Sequence, residues 1–182
     1  MVNMVAFTGH RHWRYSDVNA SLNEIVKKYG RDAVWICGGA VGLDSHAAQY
    51  SMENRIRLWL VLPFPPAVMS KYWNPAQKDL LHKTIKYAEK LSVLSPVYDI
   101  RFYQERNERM VDQSNVLCAF FNGSAGGTAN CVRYARNIGH PIDIYNPYHG
   151  RYGTNLLRFP IQVNSNSGED KNQPKILLYP NT

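Results

Sequence analysis

Short apolar runs recur along the chain, and each is followed by a polar or glycine-bearing turn and, for most, a segment with helical spacing. The runs are "MVAF" (4–7), "AVWIC" (33–37), "LWLVLP" (58–63), "LSVLS" (91–95), "NVLCAFFN" (115–122) and "HPIDIYN" (140–146). Most are apolar at successive positions, whereas a half-exposed antiparallel strand alternates apolar with polar, so these strands need cover on both faces. The intervening segments supply that cover. Val18, Leu22, Ile25 and Val26 share a face in "SDVNASLNEIVKKYG", as do Leu80, Leu81, Ile85 and Ala88 in residues 75–90. Serine at the start of the first helix and glycine at its end read as caps. Helices are likewise expected over 45–55 and 126–139, and residues 99–114 read as a loop passing into a helix. The pattern predicts an α/β fold: a Rossmann-like, doubly wound, mainly parallel sheet of about six strands with helices on both faces.

Residues 1–147 form the expected domain. Residues 148–182 change character: "FPIQV" and "KILLY" flank the polar stretch "NSNSGEDKNQPK", as in a C-terminal extension able to form a β-hairpin or an interface arm.

Composition restricts the partners. The 182 residues carry a formal net charge of +7 without any long basic run, which favours an anionic partner without choosing between nucleotide, nucleic acid and acidic surface. Nothing reads as a membrane span or a signal peptide, so a cytoplasmic location is expected. Cys37, Cys118 and Cys131 form no C-x-x-C pair and read as reduced thiols, with Cys37 and Cys118 buried.

In doubly wound sheets, ligands bind beyond the carboxyl ends of the strands, beside the point where strand order reverses. Three glycine-bearing turns fall on that edge: "TGHRH" (8–12), "GGAVGLD" (38–44) and "GSAGGT" (123–128). Glycine allows close backbone approach, and the first amides of a following helix suit an anion, so together the turns predict a phosphate-binding rim. They match neither G-x-G-x-x-G nor G-x-x-x-x-G-K-[ST], which disfavours ordinary dehydrogenase and ATPase sites.

The order of "TGHR", "GGAVGLDSHAA", "YWNPAQKDLLHKTIKYAEKLSVLS", "YQERNERMVDQSNVLCAFF" and "GGTANCVRYAR" resembles the YpsA-like members of the SLOG superfamily, which also holds the DprA/Smf DNA-processing proteins and the LOG phosphoribohydrolases. The resemblance spans roughly residues 4–147. It implies a nucleotide-binding Rossmann-like domain whose ligand contacts are Thr8, Gly9 and Arg11; Gly38, Gly39 and Asp44; Arg106 and Asn107; and Gly126, Gly127 and Thr128. Arg11 and Arg106 offer planar donor forks to phosphate, and Thr128 adds a hydroxyl at a helix start. Asp44 either accepts a ribose hydroxyl or caps the helix beginning near Ser45, and Asn107 either meets the ligand or holds the loop. Asp112 is expected to fix a turn or pair with an arginine.

One departure bears on catalysis. The glutamate that LOG enzymes carry after their "PGGxGT" turn is replaced here by Cys131, which argues against phosphoribohydrolase activity, and a buried helical thiol is a commoner state than a nucleophile. No catalytic residue is assigned. His10 and His12 lack a third ligand at plausible spacing, so no metal is expected; His46 is placed to face the crevice. Trp13 is the foremost candidate for base stacking, ahead of Tyr15, Tyr72 and Trp73, with core cover as the alternative for each.

The leading expectation is a sensor, carrier or sequestering protein for a nucleotide or nucleotide-derived ligand, including an NAD-derived or cyclic one, with no cofactor required. A nucleotide-processing enzyme, cleaving an N-glycosidic or phosphoester bond, and a DprA-type single-stranded DNA binder are the alternatives. A homo-oligomer is compatible with all three.

Overall fold

The computed structural model describes residues 2–147; the expected C-terminal extension lies outside the described residues. Six strands, β1 (Met4–Gly9), β2 (Val34–Cys37), β3 (Arg57–Leu62), β4 (Lys90–Val93), β5 (Val116–Phe120) and β6 (Ile142–Tyr145), form one sheet in the order β4-β3-β2-β1-β5-β6. Every pairing in it is parallel. The chain winds outward from β1 to β4, crosses back, and winds outward again from β5. The order therefore reverses between β1 and β5, as the doubly wound expectation requires.

The period-two geometry of the strands divides the apolar residues between two cores. Val5, Phe7, Trp35, Cys37, Leu58, Leu60, Cys118 and Phe120 point to one face. There they meet helices α1 (Tyr15–Tyr29), α2 (Leu43–Glu53) and α4 (Pro75–Tyr87) through Leu22, Ala47 and the half-buried Ile85. Ala6, Ile36, Val61, Leu117 and Ala119 point to the other face, under Val111 and Val132 of α5 (Arg101–Asp112) and α6 (Gly127–Asn137). Placing the first crossovers on one face and the returning pair on the other is what right-handed βαβ connections demand.

Local signals explain most helix ends. Asn74 accepts from the Gln77 amide at 2.9 Å while the Gln77 side chain accepts from the Asn74 amide at 3.1 Å, with Pro75 opening α4. Gly30, at φ 88°, closes α1. The expected serine cap is corrected: α1 begins one residue before Ser16, and the Asp17 carboxylate accepts from the Arg14 amide at 2.9 Å. A single turn, α3 (Pro66–Met69), was not legible in the proline-rich "PFPPAVM".

Candidate functional site

The strand order puts the ends of β2, β1 and β5 side by side, about 4.8 Å from strand to strand, so the three glycine-bearing turns occupy one edge. Their contacts nevertheless differ. In the β2–α2 turn, the Gly38 carbonyl accepts from Arg106 Nη1 at 2.6 Å, and the same nitrogen donates to Asp44 Oδ2 at 3.0 Å. Arg106 and Asp44 are 7% and 6% exposed, so this is a buried ion pair. Burial raises the Asp44 carboxyl above its ordinary range, opposed by the Arg106 charge and by hydrogen bonds from the Ala40 and Gly38 backbone. Arg106 Nε is buried without a hydrogen-bond partner among the described residues.

These contacts change the expected roles of several residues. Arg106 spends one guanidinium nitrogen bracing the turn instead of offering its whole fork to phosphate. Asp44 neither caps a helix at Ser45 nor stands open for a ribose, because α2 starts at Leu43 and the carboxylate is taken up by Arg106 and the loop. Gly38 and Gly39 leave room for neighbouring side chains: a Cβ on Gly38 would lie 1.6 Å from Arg106 Nη1, and one on Gly39 2.5 Å from Leu62 Cδ2. Gly9 makes room for Leu43 in the same way. Thr8 is buried and hydrogen-bonds Cys131, whose thiol is pushed up to about 12 by burial. That thiol stays protonated and is no nucleophile at neutral pH.

Beyond β5 the turn is open. Gly126 and Gly127 are exposed, neither would place a Cβ within 4 Å of another group, and no side chain caps the first turn of α6. Thr128 is buried. Asn107 donates to the Gly127 carbonyl at 3.4 Å, so Arg106 and Asn107, adjacent on α5, reach the two turns separately. His10 joins them as well: its Nε2 accepts from the Asn122 amide at 3.4 Å, and its carbonyl accepts from the Leu43 amide at 3.4 Å.

Trp13 is corrected from a stacking platform to a core residue. It is 2% exposed, and its Nε1 donates to the Phe120 carbonyl at 3.1 Å. Asp112 accepts from Tyr134 at 2.8 Å instead of pairing with an arginine.

A crevice of about 860 Å³ opens over the ends of β2 and β3, lined by Arg11, Lys71 and Arg106 together with Tyr72, Trp73, Tyr98 and Tyr103. Arg11, Lys71 and Tyr72 are exposed, Tyr72 at 89%. Of the expected contacts, Arg11 and Arg106 line this crevice; Gly126 and Gly127 do not. Lys71, Tyr98 and Tyr103 were missed. The run "SKYWNP" shows a cation beside two aromatics, and Tyr103 stands three residues before Arg106 on one helix face, so both signals are visible once that face is known to meet the strand ends. His46 turns its Nε2 to the Trp13 carbonyl at 2.9 Å, and burial lowers its pKa, leaving the ring neutral.

Fold and crevice together define a doubly wound α/β domain with a cationic, aromatic-walled groove at its strand ends. Its fold is similar to that of part of DNA processing protein A (DprA). DprA from Streptococcus pneumoniae superposes with a TM-score of 0.63 at 15% identity, covering 79% of this chain and 50% of DprA. The Helicobacter pylori DprA, whose structure describes a single-stranded DNA binding mode, superposes at 0.57 with 20% identity, covering 78% of this chain and 64% of that one. The chain thus spans about half to two thirds of these proteins. The uncharacterized SPbeta prophage-derived protein YoqJ of Bacillus subtilis (strain 168) is 24% identical over 140 residues, 68% of this chain and 81% of YoqJ. No family model matches the chain. No helix among the described residues is long and apolar enough to cross a membrane.

Proposed function

We propose that this protein binds a nucleotide or nucleotide-derived ligand in the crevice over β2 and β3. The observation that carries the reading is the convergence of three cations and four aromatic rings on one open cavity. Guanidinium and ammonium groups match phosphate, and ring faces match bases of any sequence. At about 860 Å³ the crevice lies within the range of small-molecule sites. Arg11 and Lys71 hold the phosphate, and Tyr72 and Trp73 supply the stacking faces. No carboxylate among the described residues lines the crevice, and Asp44 is tied to Arg106, so cleavage driven by a carboxylate acid or base has no free group there. The protein acts by holding its ligand, as a sensor, carrier or sequestering protein.

Single-stranded DNA is the second reading, favoured by the binding mode described for the H. pylori DprA and by the net charge of +7. Equilibrium titration with a mononucleotide and with a single-stranded oligonucleotide over a range of salt separates the two. A mononucleotide bound with shallow salt dependence supports the small ligand, and a steep salt slope with the strand alone supports DNA. Arg11→Ala should weaken either by at least about tenfold, as expected for a charge-assisted contact. Unchanged affinity in folded Arg11→Ala would remove the crevice from consideration.

A further inference from the structure

A second cavity, of about 420 Å³, adjoins the crevice between the β1–α1 loop, α2 and α4, and the two cavities share Arg11 and Trp73. Its deeper wall is apolar, built from Val41, Ala48, Leu80 and Leu81. Several polar groups around it are engaged within the protein: the side-chain oxygens of Asn74 and Gln77 accept from each other's backbone amides across the α4 cap, and Ser45 donates to the Gly42 carbonyl at 2.9 Å. His46 Nδ1 lacks a partner among the described residues but is sealed from the surface. The cavity therefore selects a body with apolar faces, while Arg11 and Arg14 at its edge favour an anionic attachment.

We propose that this cavity takes a second nucleobase, so that the ligand carries two bases joined through phosphate, one in each cavity, with the phosphate bridge at Arg11. The proposal rests on the crevice reading above and adds to it a ligand class and a second subsite. Trp73 lines both cavities; because the second cavity is walled mainly by apolar groups, the second base is chosen chiefly by its area. The two bases belong either to a free dinucleotide or to one step of a longer strand.

The test is equilibrium binding to the full chain of AMP, the dinucleotide pApA, and an abasic analogue that keeps the second ribose phosphate but lacks the second base. The dinucleotide should bind at least about tenfold more tightly than AMP, and the abasic analogue should lose that gain. Ala76→Trp, at an exposed position on the cavity wall, should bring pApA to the affinity of AMP and leave AMP unchanged. Equal binding of AMP and pApA, an abasic analogue as tight as pApA, or equal weakening of both ligands by Ala76→Trp would overturn the second subsite while leaving the crevice intact. Failure of both AMP and pApA to bind would overturn the crevice reading and this one with it. A longer oligonucleotide that exceeds pApA and loses affinity steeply with salt assigns the two bases to a strand; one that merely equals pApA assigns them to a free dinucleotide.

Discussion

The β2–α2 turn "GGAVGLD" and the β5–α6 turn "GSAGGTA" look alike in sequence and serve opposite purposes in the structure. The first is closed from within: its glycines leave space for the Arg106 guanidinium, the Leu62 side chain and, at Gly42, the Arg11 backbone. The second has nothing within 4 Å of where a Cβ would stand at Gly123, Gly126 or Gly127. Glycine is needed in both for backbone conformation, at Gly39 and Gly42 with φ 69° and 95° and at Gly126 with φ 135°, and in the first for close packing as well. A glycine-rich turn at a strand end is thus evidence of close approach without saying what approaches, and here the groove that can take a ligand lies beside the closed turn.

The sharpest way to break this contrast is to remove the carboxylate from the closed turn. Asp44→Ala leaves the Arg106 charge buried and unpaired, and urea denaturation should show a loss of about 3–5 kcal/mol. Replacing both partners, Asp44→Leu with Arg106→Met, should recover most of it, because an apolar pair has no charge to desolvate. If Asp44→Ala is near neutral, the pair does not brace the turn. Gly38→Ala comes next. Its new methyl would displace Arg106 Nη1, and overpacking of this kind costs about 1–3 kcal/mol.

The open turn should respond through its backbone alone. Gly126→Ala forces a side chain into a region reserved almost wholly for glycine, at about 1–3 kcal/mol. Gly127→Ala, at an unstrained helical position in open space, should be neutral or stabilising by less than about 1 kcal/mol. It should also leave nucleotide affinity unaltered, since Gly127 lines neither cavity. A large loss of affinity in Gly127→Ala would return the phosphate site to the α6 terminus.

The fold was legible because period-two burial on both faces and helical spacing are properties of contiguous segments. Cys37 and Cys118 are fully buried, as their apolar runs indicated. The site was legible only in outline. Arg11 lines the crevice, but nothing local distinguishes it from Arg106, whose partners are 62 and 68 positions away. Trp13 in its loop reads like Trp73 in its own. That the former bonds the Phe120 carbonyl, 107 residues on, and the latter stands between two cavities is decided by tertiary contacts.

The smallest effect concerns the link between the two turns. The His10 ring accepts the Asn122 amide through Nε2, which requires that nitrogen to be unprotonated. Burial, and then the neighbouring His12, lower the His10 pKa from its ordinary 6.5, outweighing a hydrogen bond with the Asn122 side chain that raises it. The folded state therefore resists a proton that the unfolded chain takes up, so stability should fall as pH drops below about 6.5 and level off once the folded ring is itself protonated. His46 and His140, also lowered by burial, act in the same direction. NMR titration should place the His10 midpoint below 6.5, with amide exchange at Asn122 quickening over the same interval while the amides of Gly38 and Ala40, held on the Asp44 side, stay protected. If the His10 midpoint lies at or above 6.5, or if both turns loosen together, the histidine does not couple to the open turn alone and the two turns melt as one unit.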